Sequence, residues 1–580
     1  MENDNQQQVI NPGDDTSDTQ PPQAAETQAA PAPLPNSPKT RKLNWKKLLV
    51  FLGAGLFIVI LGLAIPVTRH KILGLFIKKD YSLSVVDSET GRPVSSAQAT
   101  LGGTTKKTDA EGMAMFKEVS LGSQPVKIAK KYYKDYSGEV TISAFDKSGK
   151  TKVEFTASGR QVIISVNNKI NGQALSEVSI RAADTEAKTD KDGQATIVLP
   201  AGAEKEEATF QLGGYNGLVS DIIVSQPSPN QNQFTLTPSG KVYFLSKQSG
   251  TIDIIKANLD GSGREIVMAG TGNEQDFNTE LSVSRDWRYL ALKARRETSK
   301  PKLYLLDTQA EEKLTIVEQG DSEIKVIGWS GHKLVYRVEK NVPPWQRGRH
   351  SLRYYDAKAS KVVKVDESSA GGTDNFFSYF ETIENIYALP EKIVYSKTWT
   401  SSNPSSITDE KSQIFMAGYD AGKPKVLKKF KAPKVSFINA VQYKPSGIYF
   451  AVNMSNGNTN FYDYKNKKLD RSDIDNNNFQ RQYPAYRVSP DMSTTFWTES
   501  RDGQSVLFIG NEQAGEEVKI ASLPGFQAFG WYTNDYILAT NSGHELYVTA
   551  PDKDLDPVKI DNFHNATPEA PGQSYSYGGL

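Results

Sequence analysis

The chain has 580 residues, 38% of them hydrophobic, and a net charge of +1. This length suffices for about three or four domains, and a charge so near zero excludes a polyanionic partner, such as nucleic acid, held by overall charge. Cysteine is absent, which excludes disulfide bonds, thiolate catalysis and cysteine-ligated zinc. The five histidines are too widely spaced for a local metal motif, so a metal or acid-base histidine site could be assembled only from remote segments. We expect neither a metal nor a cofactor.

Residues 1–44 form a polar segment rich in Gln, Pro, Ala and Thr. The first 38 residues include six acidic side chains, no Lys or Arg, and almost no large apolar group. Such a composition cannot bury enough surface to offset the entropy that is lost on ordering. We therefore predict a disordered tail.

Residues 48–67 are twenty consecutive positions without a charged, amide or hydroxyl side chain, and fourteen of them are Leu, Ile, Val or Phe. A helix of this length covers about 30 Å, the thickness of the hydrocarbon core, and satisfies its own backbone groups there. Trp45 precedes the run, where interfacial aromatic residues are common. The segment 45–79 is therefore predicted to be one transmembrane helix followed by a juxtamembrane stretch.

The charges on the two sides of this predicted span nearly balance, so the positive-inside rule does not orient it. They are Lys39, Arg41, Lys42, Lys46 and Lys47 before the span, and Arg69, Lys71, Lys78 and Lys79 after it. The apolar run begins too far into the chain, and is too long, for a cleaved signal peptide. Because the domains that follow are of kinds more familiar outside a membrane, we expect a single-pass plasma-membrane protein with a cytoplasmic N-terminus and extracytoplasmic C-terminal domains.

From Tyr81 onward, short strand patterns alternate with Gly, Asp, Ser and Pro, which predicts an all-β fold. One turn motif occurs twice, at 108–112 before the strand MAMF and at 189–193 before ATIVL. With YSLSVVDSETGRPVSSAQATL around the first copy, residues 80–158 resemble the carboxypeptidase regulatory-like, transthyretin-like β-sandwich. Residues 159–236 resemble a diverged second copy of the same domain.

The acidic residues of the second motif, Asp190 and Asp192, allow two interpretations. They could shape the turn that enters a hairpin strand, or they could belong to a calcium loop. An EF-hand pattern requires acidic residues where Lys188 and Leu199 stand, so the turn is favoured.

Residues 237–563 contain strand patterns in groups of three or four. The second strand of each group recurs seven times, as KVYFLS, RYLALK, KLVYRV, KIVYSK, GIYFAV, STTFWT and YILATN. This recurrence predicts a β-propeller, with seven blades favoured and six or eight left open. The segments IIKANLDGSGREIVM and RVSPDMSTTFWTESRDGQSVLFIG resemble blades of TolB-type, WD40-like propellers, and together with the sandwich repeats this resemblance implies a bacterial single-pass membrane protein.

Two segments lie at the borders of the predicted propeller. FTLT, at 234–237, is the only strand pattern directly before the first group, and it could instead complete the last blade. Residues 564–580 are predicted to be a flexible tail.

Four connections of the predicted propeller exceed the usual hairpin length, at 293–302, 339–350, 367–381 and 398–412. All four would lie at the same end of neighbouring blades two to four. Their aromatic rings and guanidinium groups suit sugar rings, anionic polymers or a partner protein. The predicted ligand-binding residues are Arg295, Arg296, Trp345, Arg347, Arg349, His350, Phe376, Phe377, Tyr379 and Trp399. The alternative is that the aromatic residues pack beneath the loops and the arginines are merely solvated.

Two classes of function remain open. The favoured one is a monomeric, membrane-anchored binding or scaffold protein whose propeller presents a surface to a protein or to a saccharide or anionic polymer of the cell envelope. The alternative is a glycan hydrolase or lyase with carboxylates at the central channel. No Gly-x-Ser-x-Gly or His-Glu-x-x-His motif is present, and no catalytic residue is assigned.

Overall fold

The computed structural model of the chain describes residues 77–143, 150–225 and 231–562. Gaps within the last range lie at 298–299, 311–312, 321, 375–376, 402–410, 421, 432–434, 445–446, 466–467, 473–486, 492, 502, 511–517, 520–524, 542–543 and 552–555. The segments predicted to be the cytoplasmic tail, the span and the C-terminal tail lie outside the described residues. The described ranges are all-β, as the sequence predicts. No helix within them is long and apolar enough to cross a membrane.

Two sheets form a first unit at residues 78–155. One sheet has the order β4-β1-β7 and the other the order β3-β2-β5-β6. Strand β4 alternates as a half-buried strand should, because Ala114 and Phe116 are buried whereas Met115 is exposed. The strands are β1 (Lys78–Asp87), β2 (Gln98–Leu101), β3 (Thr104–Lys107), β4 (Met113–Ser120), β5 (Gly122–Ala129), β6 (Tyr136–Ile142) and β7 (Lys150–Phe155).

A second unit repeats this arrangement, with sheets ordered β11-β8-β14 and β10-β9-β12-β13 around one apolar core. Strand β14 pairs in parallel with β8, so FTLT belongs to this unit. The suggestion that it completes the last blade of the propeller is thereby corrected. The strands are β8 (Arg160–Asn168), β9 (Ser179–Ala182), β10 (Thr185–Lys188), β11 (Gln194–Leu199), β12 (Lys205–Gln211), β13 (Leu218–Ile223) and β14 (Gln233–Leu236).

The repeated turn motif has the same hydrogen bonds in both units. The Thr108 hydroxyl donates to the Val94 carbonyl at 2.7 Å, and the Thr189 hydroxyl donates to the Leu175 carbonyl at 2.6 Å. The carboxylate of Asp190 accepts the backbone N–H groups two and four residues later, at 3.0 and 2.9 Å. Asp190 therefore closes the turn, as an Asx residue does. No acidic cluster suited to a metal is found among the described residues.

The described part of 242–562 folds into seven successive antiparallel sheets, each made of strands consecutive in the chain. Sheet 1 contains β15 (Val242–Ser246), β16 (Asp253–Ala257) and β17 (Glu265–Met268); sheet 2 contains β18 (Glu280–Val283), β19 (Tyr289–Ala294), β20 (Lys302–Asp307) and β21 (Thr315–Glu318). Sheet 3 contains β22 (Ser322–Ser330), β23 (Lys333–Lys340), β24 (His350–Asp356) and β25 (Lys361–Glu367); sheet 4 contains β26 (Gly372–Asp374), β27 (Phe377–Leu389), β28 (Lys392–Ser401), β29 (Ser412–Gly418) and β30 (Lys425–Phe430).

The remaining three sheets have four strands each in the described residues. Sheet 5 contains β31 (Val435–Lys444), β32 (Gly447–Met454), β33 (Thr459–Lys465) and β34 (Lys468–Ser472). Sheet 6 contains β35 (Arg487–Val488), β36 (Thr495–Arg501), β37 (Gln504–Gly510) and β38 (Val518–Lys519). Sheet 7 contains β39 (Phe526–Trp531), β40 (Ile537–Asn541), β41 (Glu545–Thr549) and β42 (Val558–Asn562).

Apolar clusters of the described residues join six of the seven pairs of neighbouring sheets, all but sheets 5 and 6, and arrange the sheets in a ring. Ile255 of sheet 1 and Val548 of sheet 7 belong to one buried cluster, and other clusters join sheets 2 to 3, 3 to 4, 4 to 5 and 6 to 7. Asp561 of sheet 7 also accepts hydrogen bonds from Gln248 Nε2 at 3.0 Å and Arg264 Nε at 2.6 Å. The first sheet therefore closes the ring against the last through side chains.

Polar contacts fix the second unit to sheet 1. The carboxylate of Asp260 accepts hydrogen bonds from Lys169 Nζ at 2.8 Å and from the Thr237 hydroxyl at 2.7 Å, and the Ser262 hydroxyl donates to its other oxygen. Burial alone would raise the pKa of this carboxyl group. The three donors outweigh that effect and hold the pKa of Asp260 well below its ordinary range.

Replacing Asp260 with Asn is expected to destabilise this junction by about 1–3 kcal/mol at neutral pH, because hydrogen bonds to a charged group are lost. A carboxyl group whose pKa is depressed in the folded protein stabilises the fold at pH values above its pKa in the unfolded chain, about 3.9. This stabilisation is lost as the pH falls towards the pKa of the folded protein. Thermal unfolding of the wild type and of Asp260→Asn is measured between pH 7 and pH 3. The difference between their unfolding midpoints should narrow below about pH 4. Asp192→Asn, in an exposed turn, is the control and should change stability little; a pH-independent difference for Asp260→Asn would contradict the prediction.

Candidate functional site

The connection between β23 and β24, residues 341–349, is held in place by backbone hydrogen bonds; we call it the 341–349 loop. The Gly348 N–H donates to the Ser368 carbonyl, and the Gly371 N–H donates to the Trp345 carbonyl, both at 2.8 Å. These bonds join the loop to the connection that leads from sheet 3 into sheet 4. The structure thus brings together two of the four long connections predicted from the sequence.

The exposed side chains of this loop include an aromatic ring and a guanidinium group, those of Trp345 and Arg347. The indole of Trp345 is 38% exposed, although it belongs to a residue type that is usually well buried. The side chain of Arg347 is 74% exposed and pairs with Glu367 at 3.0 Å. An aromatic ring and a guanidinium group on a fixed loop are the side chains that most often dominate binding energy at interfaces.

A network of charged residues lies beneath the loop. Arg349 pairs with Glu339 at 2.7 Å, and the buried Arg337 pairs with Glu384 of sheet 4. His350 is only 4% exposed, and its Nδ1 lies 3.9 Å from a Glu339 oxygen. Burial, reinforced by the charge of Arg337, lowers the pKa of His350 to about 4, so the ring is neutral at physiological pH. Nδ1 of His350 and Nε of Arg337 are buried without a hydrogen-bond partner among the described residues.

Lys397 of β28 forms a second group of buried charges next to this network. Its Nζ lies 3.0 Å from Glu381 and 3.4 Å from Asp366, and it donates to the Glu367 carbonyl at 2.9 Å. The Lys397 and Glu381 side chains are only 8% and 6% exposed. Glu381 also accepts the Ser369 N–H at 2.7 Å. These contacts fix the connection between sheets 3 and 4 from below.

The aromatic residues predicted on sheet 4 have a different setting. Trp399 is buried, packs against the ring of Tyr379 at 5.9 Å, and has Lys411 Nζ 4.8 Å above it. Parts of both predicted connections are strand, since β26 and the start of β27 fall within 367–381 and β28 continues to Ser401 within 398–412. Phe376 lies outside the described residues. Phe377 begins β27, and its side chain also lies outside them.

The two arginines predicted on sheet 2 contact another part of the ring. Arg296 pairs with the buried Glu274 at 3.1 Å and donates to the Ala269 carbonyl at 3.0 Å. Arg295 Nε donates to the Asn273 carbonyl at 2.9 Å. Both therefore hold the connection between sheets 1 and 2. For Arg296 the contacts are structural, whereas Trp345 and Arg347 are the predicted residues best placed for a ligand.

Successive antiparallel sheets arranged in a ring that the first and last sheets close define a β-propeller protein. No family model and no curated protein matches the sequence. Similar solved structures include TolB from Acinetobacter baumannii, with 13% identity over 56% of this chain and 78% of that one and a TM-score of 0.27. The β-propeller domain of the Trilobed protease from Pyrococcus furiosus has 14% identity over 62% of this chain and 95% of that one, with a TM-score of 0.34. Similarities of this size carry no argument about function, and the class rests on the order and packing of the sheets.

Proposed function

We propose that the chain is a membrane-anchored, extracytoplasmic binding or scaffold protein. In this proposal residues 48–67 span the membrane, 80–158 and 159–236 are two β-sandwiches, and a seven-bladed TolB-like propeller presents the 341–349 loop to a protein or an envelope polymer. The apolar run, the turn shared by the two units and the seven sheets of the described residues support it.

The observation that carries the binding proposal is an exposed Trp345 and Arg347 on a loop that backbone hydrogen bonds hold in one conformation. A ligand surface ordered in advance loses less conformational entropy on binding than a flexible loop does. The buried charges below the loop add to this order, because each carboxylate among them has a cationic partner.

Site-specific photo-crosslinking tests this surface. A photo-reactive phenylalanine derivative at position 345 should capture one specific partner in cells, whereas the same group at position 362 should not. Val362 lies on β25 and is exposed to the same extent as Trp345, 38%. Equal capture at both positions would show that the loop is not the binding surface.

The enzymatic alternative needs a carboxylate free to donate or accept a proton. In the part of the chain that the structure describes, the carboxylates nearest the loop are ion-paired: Glu339 with Arg349, Glu367 with Arg347, Glu381 with Lys397, and Glu384 with Arg337. Such pairing favours binding over acid-base catalysis. Release of reducing ends or unsaturated products from a panel of envelope glycans by the purified protein would replace the proposal with the enzymatic one.

The proposed topology predicts the result of proteolysis on intact cells. Trypsin added from outside should release a large fragment that lacks the first 68 residues, because the β domains would face outward. An immunoblot with antibodies against the tail and against the propeller would follow the two parts. If the propeller is protected until the membrane is breached, the orientation is the reverse.

A further inference from the structure

Residues 421–462 contain seven lysines and not one Asp or Glu, in a chain whose 68 basic and 67 acidic residues otherwise balance. Five of the lysines surround or occupy β30, and we call them the lysine strip. They are Lys423, Lys425, Lys428, Lys429 and Lys431. Strand β30 is the outermost strand of sheet 4, paired only with β29 in the described residues. The strip therefore runs along an edge of the propeller that faces away from the ring.

The strand presents lysines on both of its faces. A bulge at Leu427 leaves Lys425 opposite Met416 and Lys428 opposite Ile414, two positions that share a face of β29. Lys429 lies opposite Gln413, on the other face. Lys425 and Lys429 are exposed, and Lys428 is partly so.

Two tyrosines of sheet 5 lie under the first of these faces. Lys428 Nζ is 5.3 Å from the centre of the Tyr462 ring, and Lys392 Nζ is 4.8 Å from that of Tyr464. No carboxylate among the described residues lies within ion-pair distance of the lysine strip, so none of these residues neutralises its charges. Such an edge has a positive electrostatic potential, although the net charge of the whole chain is close to zero.

Charged residues on an outer strand protect the edge of a sheet against aggregation. This protection explains why an outer strand carries lysines, but not why it carries no acidic residue. The outer strands of five other sheets each carry an acidic residue, either together with basic residues or without them. These residues are Glu265 in sheet 1, Glu318 in sheet 2, Asp366 and Glu367 in sheet 3, Asp470 in sheet 5, and Asp561 in sheet 7. In this protein, outer strands that carry acidic residues thus also protect the edges of their sheets. The exclusively positive charge of the lysine strip therefore has another cause.

We infer that the lysine strip binds a linear polyanion, a polymer with phosphate or similarly charged groups along its length. At about 3.3 Å per residue the strip extends over roughly 25 Å, so several successive anionic groups can contact it at once. Lysine is a compact point charge on a flexible stem and needs no fixed geometry, as a mobile polymer requires. A polymer can follow both faces of an edge strand, whereas a flat lipid surface would contact mainly one. The inference is independent of the proposed role of the 341–349 loop.

Inorganic polyphosphate is a suitable probe, and the full chain in a neutral detergent should bind it with an affinity that falls steeply with salt. Replacing Lys425, Lys428 and Lys429 together with Gln should weaken binding at low salt by about tenfold or more. It should also reduce the slope of log affinity against log salt by about two, since each lysine releases roughly 0.7 counterions from a flexible polyanion. Arginine at the same three positions keeps the charge and should preserve binding.

A matched control removes the same charge elsewhere. Lys106, Lys117 and Lys127 are exposed on the first unit, and their joint replacement with Gln should leave the salt slope unchanged. Equal loss in both Gln variants, or wild-type binding by the lysine-strip variant, would overturn the inference. So would tight binding to vesicles of anionic lipid that polyphosphate does not compete away, because the partner would then be a membrane. The thermal unfolding midpoint of the Gln variant, compared with those of the Arg variant and the wild type, shows whether the strand remains folded when the lysines are replaced.

Discussion

Replacing Lys397 with Ala is expected to lower the free energy of unfolding by about 3–5 kcal/mol, since it would leave the carboxylate of Glu381 buried without its cation. Glu381 is 6% exposed, its cation lies 3.0 Å away, and Asp366 shares the same partner at 3.4 Å.

Urea unfolding of the variant and the wild type at pH 7 measures this loss. Lys364→Ala is the control, because Lys364 is 57% exposed and its ion pair with Glu367 should contribute no more than about 1 kcal/mol. The double variant Lys397→Met, Glu381→Gln removes both charges and should recover part of the lost stability. A loss of less than about 1 kcal/mol for Lys397→Ala would mean that water reaches these charges and that the connection above them is not held rigidly.

The fold follows from the sequence where local chemistry decides it. Strand alternation and the recurrent second strand predict an all-β ring, and the repeated motif predicts a turn in each unit. In both turns the Asp carboxylate accepts a backbone N–H four residues later, whereas the Thr hydroxyl bonds a carbonyl fourteen residues earlier. Contacts of the first kind depend on neighbours a few residues apart, which a single sequence contains. The turn at Asp190 shows this well, since all of its acceptors and donors lie within four residues.

The place of FTLT could not be predicted in the same way. A short alternating segment fits the edge of many sheets, and its partner is chosen by tertiary packing. In the structure β14 pairs in parallel with β8, about seventy residues earlier in the chain, and Leu236 joins the core of the second unit. The first sheet consequently has three strands in the described residues, although the sequence pattern suggested a fourth.

The sequence predicts which loops form the candidate site, but not which of their side chains are exposed. Arg296 and Arg347 look alike in the sequence, yet the first is 12% exposed against Glu274 and the second is 74% exposed. His350 and Trp399 are both buried, at 4% and 8% exposure. Burial of these residues depends on contacts between remote segments, and residue type alone does not determine it.

The buried charges under the 341–349 loop left only a weak signal. Arg337 and Lys397 directly follow the apolar runs LVY and IVYS of their strands and lie at buried positions. A cation within a buried strand needs an anionic partner, because an unpaired buried charge is costly. That reasoning predicts a partner but cannot say which one, and the structure assigns Glu384 and Glu381 from the neighbouring strand β27.

The double variant Trp345→Ala, Arg347→Ala is expected to weaken binding of the partner captured at position 345 by about thirtyfold or more, equivalent to about 2 kcal/mol. Truncating an aromatic or arginine residue at the centre of an interface commonly has this effect. The thermal unfolding midpoint should hardly change. Trp345 is 38% exposed, and the surface ion pair of Arg347 contributes no more than about 1 kcal/mol. Affinity is measured with the captured partner after purification, and stability with the same preparations.

The matched control is Lys361→Ala, Val362→Ala on β25, which removes one exposed cation and one apolar side chain that is also 38% exposed. It should bind the partner as the wild type does, because these residues lie on the outer strand of sheet 3 and not on the 341–349 loop. Wild-type binding by the double variant at 345 and 347 would place the binding surface elsewhere, with the centre of the ring as the next surface to test. A fall of several degrees in its unfolding midpoint would show instead that Trp345 packs the loop onto the sheet, since a side chain that only awaits a ligand contributes little to the stability of the free protein.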